Sequence, residues 1–329
     1  MEHFGIAIAG TGSYVPEKVL TNADLERQVE TSDEWIRSRT GIQERHIAAP
    51  DEPTSALAAK AGERALAAAG VAAAELDAII VATFTPDGAI PNTACLVQRR
   101  LGANKALCFS MEAACSGFIY GLEVAGNLIR SGGCRNILLV GAEKISSVVD
   151  WTDRNTCVLF GDGAGAALLQ RADAGHDSLL ATQLGADGSY AELLQVPAGG
   201  SALPLTAELL AQHMNCIKME GREVFKLAVN AMVGASQAAM AKAGITHDDL
   251  RWVIPHQANL RIISSVGKYL EVPEEKVYVN VHKYGNTSAA SIPIALDELV
   301  RSGQVRKGDH LLLTAFGAGL TWGAALLKW

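Results

Sequence analysis

The sequence lacks several patterns, and each absence argues against a class of protein. Its six cysteines form no C-x-x-C pair and no cluster with histidine at zinc-ligand spacing, so we expect reduced thiols and no metal. The net charge of −7 gives the chain no basic character, which argues against nucleic acid as a partner. An acidic protein partner would therefore have to meet a local basic patch.

No segment is typical of a signal peptide or a membrane span. The N-terminal MEHFGIAIAG carries an acidic residue and no basic region. The uncharged run at 311–327 is interrupted by glycines and threonines, which is typical of buried strands joined by a turn. We expect a cytoplasmic protein without a membrane partner. With 49% hydrophobic residues, its 329 residues suffice for a large core.

Apolar runs of strand length alternate with helical patterns along the chain. The strand-like runs are DAIIVATF, ALCFSM, NILLVGA, WVIPH, VYVNV and HLLLTAF, and the helical stretches include TSALAAKAGERALAAAG and EVFKLAVNAMVGASQAAMAKAG. This alternation predicts an α/β protein with mainly parallel strands. The glycine-rich segments IAGTGSYVP and FGDGAGAALL lack the spacing of a dinucleotide fingerprint, so we interpret them as tight turns.

The chain resembles itself in three places that keep the same order. AAAGVAAAELDAII, ending at Ile80, matches AKAGITHDDLRWVI, ending at Ile254. LIRSG recurs later as LVRSG, and GAALL occurs twice. We interpret these matches as a duplication, with an N-terminal half of residues 1–171 and a C-terminal half of residues 172–329 that are related by a pseudo-twofold axis.

Three chemically capable residues fall at predicted strand-to-helix junctions of these halves. Cys115 stands between ALCFSM and an apolar helical pattern, His256 follows WVIP, and Asn286 precedes TSAASIPIAL. Cys115 and Asn286 are equivalent under the duplication. We expect all three at the carboxyl ends of central strands, where open α/β sheets bind their ligands. Cys115 would belong to the N-terminal half, and His256 and Asn286 to the C-terminal half.

These residues are suited to two kinds of thioester chemistry. A thiolate at a helix N-terminus is a good nucleophile, and backbone N–H groups around it, with another from the turn at Gly317, can stabilise an oxyanion. In a hydrolase, His256 would deprotonate the thiol and Asn286 would orient the imidazole. In an enzyme that forms carbon–carbon bonds, both would instead donate to a thioester carbonyl and stabilise an enolate. The pattern of residues leaves both possibilities open.

The chain resembles the β-ketoacyl-acyl carrier protein synthase III family of the thiolase superfamily over almost its whole length. The matching segments include TSDEWIRSRTGIQERHIA, AACSGF, IPHQANLRII, NVHKYGNTSAASIPIAL and FGAGLTWGAAL. The resemblance implies a thiolase-like five-layered αβαβα fold of two pseudo-symmetric halves, a homodimer, and no bound cofactor. Elongating synthases have a second histidine where this chain has Asn286, which indicates the initiating type.

The implied reaction is the first condensation of type II fatty acid synthesis. Cys115 would accept a short acyl group, which we expect to be acetyl, from acyl-CoA, with the amides of Cys115 and Gly317 as oxyanion hole. Malonyl-acyl carrier protein (malonyl-ACP) would then lose carbon dioxide, supported by His256 and Asn286, and the carbanion would attack the acyl-cysteine. The alternatives are a related starter-loading ketosynthase of secondary metabolism and a thioester hydrolase.

The resemblance also implies binding residues. Those that match the CoA site, although Arg222 replaces a frequent asparagine, are Trp35, Arg39, Arg154, Asn259 and Arg222. Lys226 and Arg261 match positions implicated in docking of acyl carrier protein. Ile90 replaces a phenylalanine with which the partner subunit often caps the acyl pocket, so we expect a pocket for acetyl and somewhat longer or branched starters.

Overall fold

A computed structural model describes residues 4–329 of the chain, so the first three residues of MEHFGIAIAG lie outside the described part. Its strands are β1 (Gly5–Tyr14), β2 (Lys18–Thr21), β3 (Glu44–Ile47), β4 (Ala78–Ala82), β5 (Leu107–Met111), β6 (Asn136–Glu143), β7 (Gly163–Ala172), β8 (Leu179–Ala186), β9 (Leu194–Gln195), β10 (Lys218–Met219), β11 (Leu250–Pro255), β12 (His310–Gly317) and β13 (Thr321–Lys328). Its α-helices are α1 (Asn22–Glu26), α2 (Asp33–Thr40), α3 (Thr54–Ala69), α4 (Thr93–Leu101), α5 (Gly117–Arg130), α6 (Ala207–Ala211), α7 (Gly221–Ala243), α8 (Leu260–Tyr269), α9 (Val281–Tyr284) and α10 (Ser291–Arg301).

Helices and two sheets alternate in five layers. The first sheet has the strand order β1-β7-β6-β4-β5, and the second has the order β11-β12-β13-β8. Helices α5 and α10 lie between the sheets, where Phe118 and Leu296 pack against Leu139 of the first sheet and Leu313 of the second. Helices α3 and α4 cover the outer face of the first sheet, and α7 and α8 cover that of the second. The predicted αβαβα fold is confirmed.

The prediction of mainly parallel strands is wrong, because both sheets are mixed. β4 pairs in parallel with β5 and β6, and β11 with β12, whereas β7 is antiparallel to both of its neighbours and β13 to both of its own. Between β12 and β13 only residues 318–320 are available, which is too few for the crossover that a parallel pair requires. The short turn therefore forces the antiparallel pairing.

The glycine-rich segments are also not tight turns, because they form the paired strands β1 and β7. A Cβ atom added at Gly12 would lie 2.4 Å from the carbonyl oxygen of Ala61 in α3. One added at Gly165 would lie 2.6 Å from the backbone nitrogen of Ile294 in α10. Glycine is needed in these strands because helices on the two sides of the first sheet contact the strand backbone directly.

The proposed boundary between the halves coincides with the end of a strand. Residue 171 is the penultimate residue of β7, and residue 172 is its last. The five strands of the first sheet thus precede the boundary apart from that residue, and the four strands of the second sheet follow it. The duplication itself stays a prediction.

Helix α7 is the one helix in the described range that is long and apolar enough to cross a membrane by length and composition. One side of it packs on the second sheet through Val229, Met232 and Ala239. Part of the apolar surface of α7 is therefore buried in the core between this helix and the second sheet.

Candidate active site

One cavity of about 620 Å³ is lined by Cys115, His256 and Asn286 together. Cys115 stands in a helical turn at Ala114–Ser116 between β5 and α5. His256 directly follows β11, and Asn286 follows α9 after one glycine. Apolar side chains supply much of the remaining wall, among them Phe84, Val148, Leu159, Phe160, Leu194, Ile217, Met219, Phe225 and Phe316. The structure thus brings together the three residues that were predicted to act together.

The strands before these residues differ from the prediction. Within this chain β5 and β11 are edge strands of their sheets, so neither Cys115 nor His256 follows a central strand. Asn286 follows no strand at all. The run VYVNV, which was predicted as a strand, forms only an isolated bridge between Val277 and Val253. Its last residue, Val281, already begins α9.

The turn that carries Cys115 is fixed from both sides. Ala114 has a φ of +43°, in the left-handed region that alanine rarely adopts. Its N–H donates to Oε1 of Glu112 at 2.7 Å. From the second sheet, the Thr321 hydroxyl donates to the carbonyl of Ala113 at 2.9 Å, and the Ser116 hydroxyl donates to the Thr321 carbonyl at 3.1 Å. These bonds compensate for the unfavourable backbone conformation beside the thiol.

Gly317 approaches the backbone of Cys115 so closely that no side chain fits between them. A Cβ atom added at Gly317 would lie 2.6 Å from the backbone nitrogen of Cys115 and 3.1 Å from Cβ of Ala114. The two residues predicted to supply oxyanion donors are therefore neighbours in space. They come from the ends of different sheets.

The environment of Cys115 disfavours the thiolate in the resting protein. Burial raises the pKa of the Cys115 thiol to about 12. Helix α5 begins two residues later, and its N-terminus favours a negative charge, but the loss of hydration outweighs it. The resting site therefore favours Cys115 as a neutral thiol.

We predict that alkylation of Cys115 by iodoacetamide accelerates about tenfold per pH unit between about pH 7 and 9, without a plateau. A thiol with a pKa near 12 is almost entirely protonated in this range, so its thiolate fraction rises tenfold with each unit. Intact mass and peptide mapping at each pH give the rate. A plateau below pH 9 would show that the site stabilises the thiolate after all.

His256 is buried and neutral. Its backbone N–H donates to the carbonyl of Thr314 at 2.7 Å, and its Nδ1 lies 2.6 Å from Oγ of Ser291. Burial lowers the pKa of the imidazole to about 3, so the ring carries no charge at neutral pH. Asn286 is fixed in a similar way, because its Oδ1 accepts the N–H of Ser288 at 2.9 Å. Asn286 lines the cavity, and its Nδ2 makes no hydrogen bond within the described residues.

Gln257 connects the His256 loop to the segment that leads to Asn286, a role that no sequence pattern had indicated. Its Nε2 donates to the carbonyls of Pro255 and Tyr278, at 2.9 and 3.1 Å. Its Oε1 accepts the N–H groups of Asn280 and Val281, at 2.9 and 3.0 Å. This buried amide is therefore fully paired, and it fixes the distance between two sides of the cavity.

A second unforeseen residue is Glu143 at the end of β6, which is fully buried. It accepts hydrogen bonds from the Thr83 hydroxyl at 3.0 Å and from the Thr85 backbone at 3.1 Å, and burial raises its pKa to about 8. These bonds fix the turn that presents Phe84 to the cavity. The one signal in the sequence was an acid directly after the apolar run NILLVGA.

Four of the five predicted CoA residues lie at the cavity or form one cluster on the surface. The guanidinium carbons of Arg39 and Arg154 lie 4.8 and 5.1 Å from the centre of the Trp35 ring. Asn259 lines the cavity and caps α8 by accepting the N–H of Ile262 at 3.0 Å. Arg222 is exposed at the start of α7 and does not line the cavity.

Of the residues predicted for docking, Arg261 contacts the cavity wall and Lys226 is exposed, whereas Ile90 does not line the cavity. Lys226 is exposed and pairs with Glu223 at 3.0 Å. Arg261 lies over the ring of Phe225, at 5.6 Å from its centre, and that ring lines the cavity. Ile90 is 89% exposed and is absent from the cavity wall of its own chain.

Two family models match the chain. The model described as 3-oxoacyl-[acyl-carrier-protein (ACP)] synthase III matches residues 109–188, and the one described as its C terminal matches residues 240–329. A β-ketoacyl-[acyl-carrier-protein] synthase III from Roseiflexus castenholzii is 57% identical over 323 residues, which is 98% of both chains. A protein of the same name from Caldanaerobacter subterraneus is 52% identical over 328 residues, covering 100% of this chain and 99% of the relative.

Solved structures extend the similarity to the whole fold. The crystal structure of 3-oxoacyl-[acyl-carrier-protein] synthase III from Aquifex aeolicus has a TM-score of 0.92 and 50% identity, covering 99% of this chain and 100% of that one. The priming β-ketosynthase of the R1128 polyketide pathway also has a TM-score of 0.92, with 37% identity and coverage of 99% and 97%.

Proposed function

Because the chain belongs to the β-ketoacyl-[acyl-carrier-protein] synthase III family, the initiating condensing enzymes of type II fatty acid synthesis, we propose that Cys115, His256 and Asn286 carry out its acyltransferase reaction. The observation that carries this proposal is the single cavity that all three residues line. The starter-loading role in secondary metabolism is not favoured, because identity is higher to the fatty acid enzymes than to the polyketide ketosynthase.

In the first half-reaction, Cys115 takes the acyl group from a short acyl-CoA. Its sulfur attacks the thioester carbonyl, a new thioester bond forms, the bond between the carbonyl and the CoA sulfur breaks, and CoA leaves with the proton of the thiol. The N–H groups of Cys115 and Gly317 stabilise the oxyanion of the intermediate. The close approach of these two backbones supports that assignment.

In the second half-reaction, His256 and Asn286 donate hydrogen bonds to the thioester carbonyl of malonyl-ACP. The bond to the terminal carboxylate breaks, carbon dioxide leaves, and the electron pair is held as an enolate that the two donors stabilise. The enolate carbon attacks the acyl-cysteine, and the bond to the Cys115 sulfur breaks to release the 3-ketoacyl product. The sulfur leaves as a thiolate and takes up one proton from solvent, which restores the thiol. A neutral His256 suits this donor role.

The cluster of Trp35, Arg39 and Arg154 on the surface supports the proposed substrates. Trp35 offers a ring on which adenine can stack, and Arg39 and Arg154 beside it offer positive charge to the phosphates of CoA. Asn259, which lines the cavity, would contact the pantetheine arm, whereas Arg222 is proposed from the family resemblance alone. Lys226 and Arg261 would meet the acidic carrier protein. No cofactor beyond the substrates is proposed.

We further propose a cytoplasmic homodimer, in which the halves 1–171 and 172–329 arose by duplication. Strand β5 is an edge of the first sheet, and its Leu107 is 53% exposed. An exposed strand edge is a template for pairing with a second copy. In such a homodimer Ile90, which is 89% exposed, would cap the acyl pocket of the partner subunit.

The test is intact mass of the protein after brief exposure to acetyl-CoA, and again after addition of malonyl-ACP. We expect one acetyl adduct that maps to the Cys115 peptide and disappears as acetoacetyl-carrier forms. An adduct that decays equally fast without the malonyl donor would contradict the proposal and indicate a hydrolase. An adduct that forms only from a longer acyl-CoA would be consistent with the proposed mechanism, but it would show that acetyl-CoA is not the starter.

A further inference from the structure

We propose that Ser291 is a positioning residue that fixes His256 as the tautomer with its proton on Nε2, the form that can donate to the substrate carbonyl. This inference rests on the proposed function, because it explains how His256 acts as a donor. It adds a residue that neither the sequence pattern nor the family resemblance had indicated.

The geometry places one hydroxyl between two nitrogen atoms. Ser291 is the first residue of α10 and is 2% exposed. Its Oγ lies 2.6 Å from Nδ1 of His256. The backbone N–H of Gln257 donates to the same oxygen at 3.3 Å. The described part of the chain offers no hydrogen-bond partner to Nε2, on the other side of the ring.

The proton count then determines the tautomer. A serine hydroxyl has one hydrogen to donate, and it can also accept hydrogen bonds. The Gln257 N–H can only donate, so the hydroxyl hydrogen is free to point at Nδ1. If Nδ1 also carried a proton, the oxygen would accept from two donors, and its own hydrogen would be buried without a partner, which is unfavourable. Nδ1 is therefore unprotonated, and the neutral ring carries its proton on Nε2.

This tautomer separates the two chemistries that the sequence left open. A hydrolase mechanism requires an unprotonated Nε2 that takes the proton of the thiol. A condensing mechanism requires a donor at this atom. Asn286 is oriented in the same way, because its Oδ1 accepts a hydrogen bond from the N–H of Ser288. Its Nδ2 is then free to donate to the substrate. Each donor is thus fixed through a bond at its far side.

The first measurement is made on the wild-type protein labelled with ¹⁵N-histidine. We expect the His256 resonances, assigned by their absence in His256→Ala, to show an unprotonated Nδ1 and a protonated Nε2. In Ser291→Ala, we expect the opposite tautomer to become populated. A protonated Nδ1 in the wild type would overturn the proposal, whether or not any variant folds.

The second measurement separates the half-reactions in Ser291→Ala. We expect malonyl-ACP decarboxylation and condensation to fall roughly 10- to 100-fold, less than when the charged orienting acid of a serine protease triad is neutralised, because a hydroxyl is a weaker partner. Acylation of Cys115 should stay near the wild-type rate. An equal loss in both half-reactions would indicate a general disturbance of the site and contradict a role through His256.

A matched control is Ser236→Ala. Ser236 is fully buried on α7, and its hydroxyl has no partner in the described structure. We expect its removal to change neither the half-reactions nor the His256 spectrum. The outcomes also separate the two proposals. A protonated Nε2 without any acyl adduct would refute the proposed function alone, and condensation with a protonated Nδ1 would refute the role of Ser291 alone.

Discussion

His256→Ala is expected to lower condensation with malonyl-ACP by roughly a hundredfold to a thousandfold, the usual cost of removing one donor from a preorganised site. Acylation of Cys115 should remain close to the wild-type rate. The turn around the thiol is fixed by Glu112 and Thr321, and no hydrogen bond from His256 contributes to it. Burst amplitudes with acetyl-CoA report the first step, and product formation reports the second.

Two further variants make this comparison decisive. Cys115→Ala should abolish both half-reactions, because no acyl-enzyme can form without the sulfur. His247→Ala removes a histidine that is 41% exposed and should leave both steps unchanged. If His256→Ala slowed acylation as strongly as condensation, the imidazole would be the base that activates the thiol, as in the hydrolase mechanism.

Gly317→Ala is expected to lower both half-reactions together, by at least about a hundredfold, because displacements of about 1 Å near the reacting atoms have effects of this size. The new Cβ would lie 2.6 Å from the backbone nitrogen of Cys115, so either the end of β12 or the thiol turn must move. The movement separates the two N–H groups that would share one oxyanion. In the proposed mechanism both steps pass through an oxyanion on the carbonyl bound to the Cys115 sulfur, so neither should be spared.

Gly234→Ala is the matched control for Gly317→Ala. Gly234 lies within α7, and a Cβ added there contacts nothing within 4 Å. Alanine at this helical position should preserve activity and raise the melting temperature, since it is favoured over glycine by about 0.5–1 kcal/mol in helices. Circular dichroism should show both variants folded. Activity of Gly317→Ala within about tenfold of wild type would contradict an oxyanion hole built from these two backbones.

The sequence predicted that Cys115, His256 and Asn286 form one site because each stands near an apolar run whose burial can be recognised locally. Cys115 and His256 do follow strands, as expected from ALCFSM and WVIP. Whether two strands pair in parallel or antiparallel was harder to predict, because it depends on the length and path of the connection between them. The run VYVNV was predicted as a strand because its alternating apolar residues match the pattern of one. In the structure only an isolated bridge pairs it with β11.

The supporting residues could not be predicted, because their roles arise from contacts between distant parts of the chain. Ser291 meets His256 across 35 positions of sequence. Glu143 meets Thr83 across 60 positions. Periodicity shows that such residues are buried, but not which group each one meets. The glycines of IAGTGSYVP and FGDGAGAALL were interpreted as tight turns. In the structure they allow helices to pack closely against β1 and β7, and no local sequence pattern shows how closely a helix approaches a strand.

The distribution of the site along the chain has an evolutionary consequence. The thiol turn belongs to residues before position 171, whereas Thr321, Gly317 and His256 follow it. Neither half carries all of the proposed reacting groups, so we expect a fragment of either one, however well folded, to be inert. Selection for activity is at the same time selection for the fit between the halves. Their sequences are therefore constrained to change together, as those of two subunits in an obligate heterodimer are, although one chain carries both.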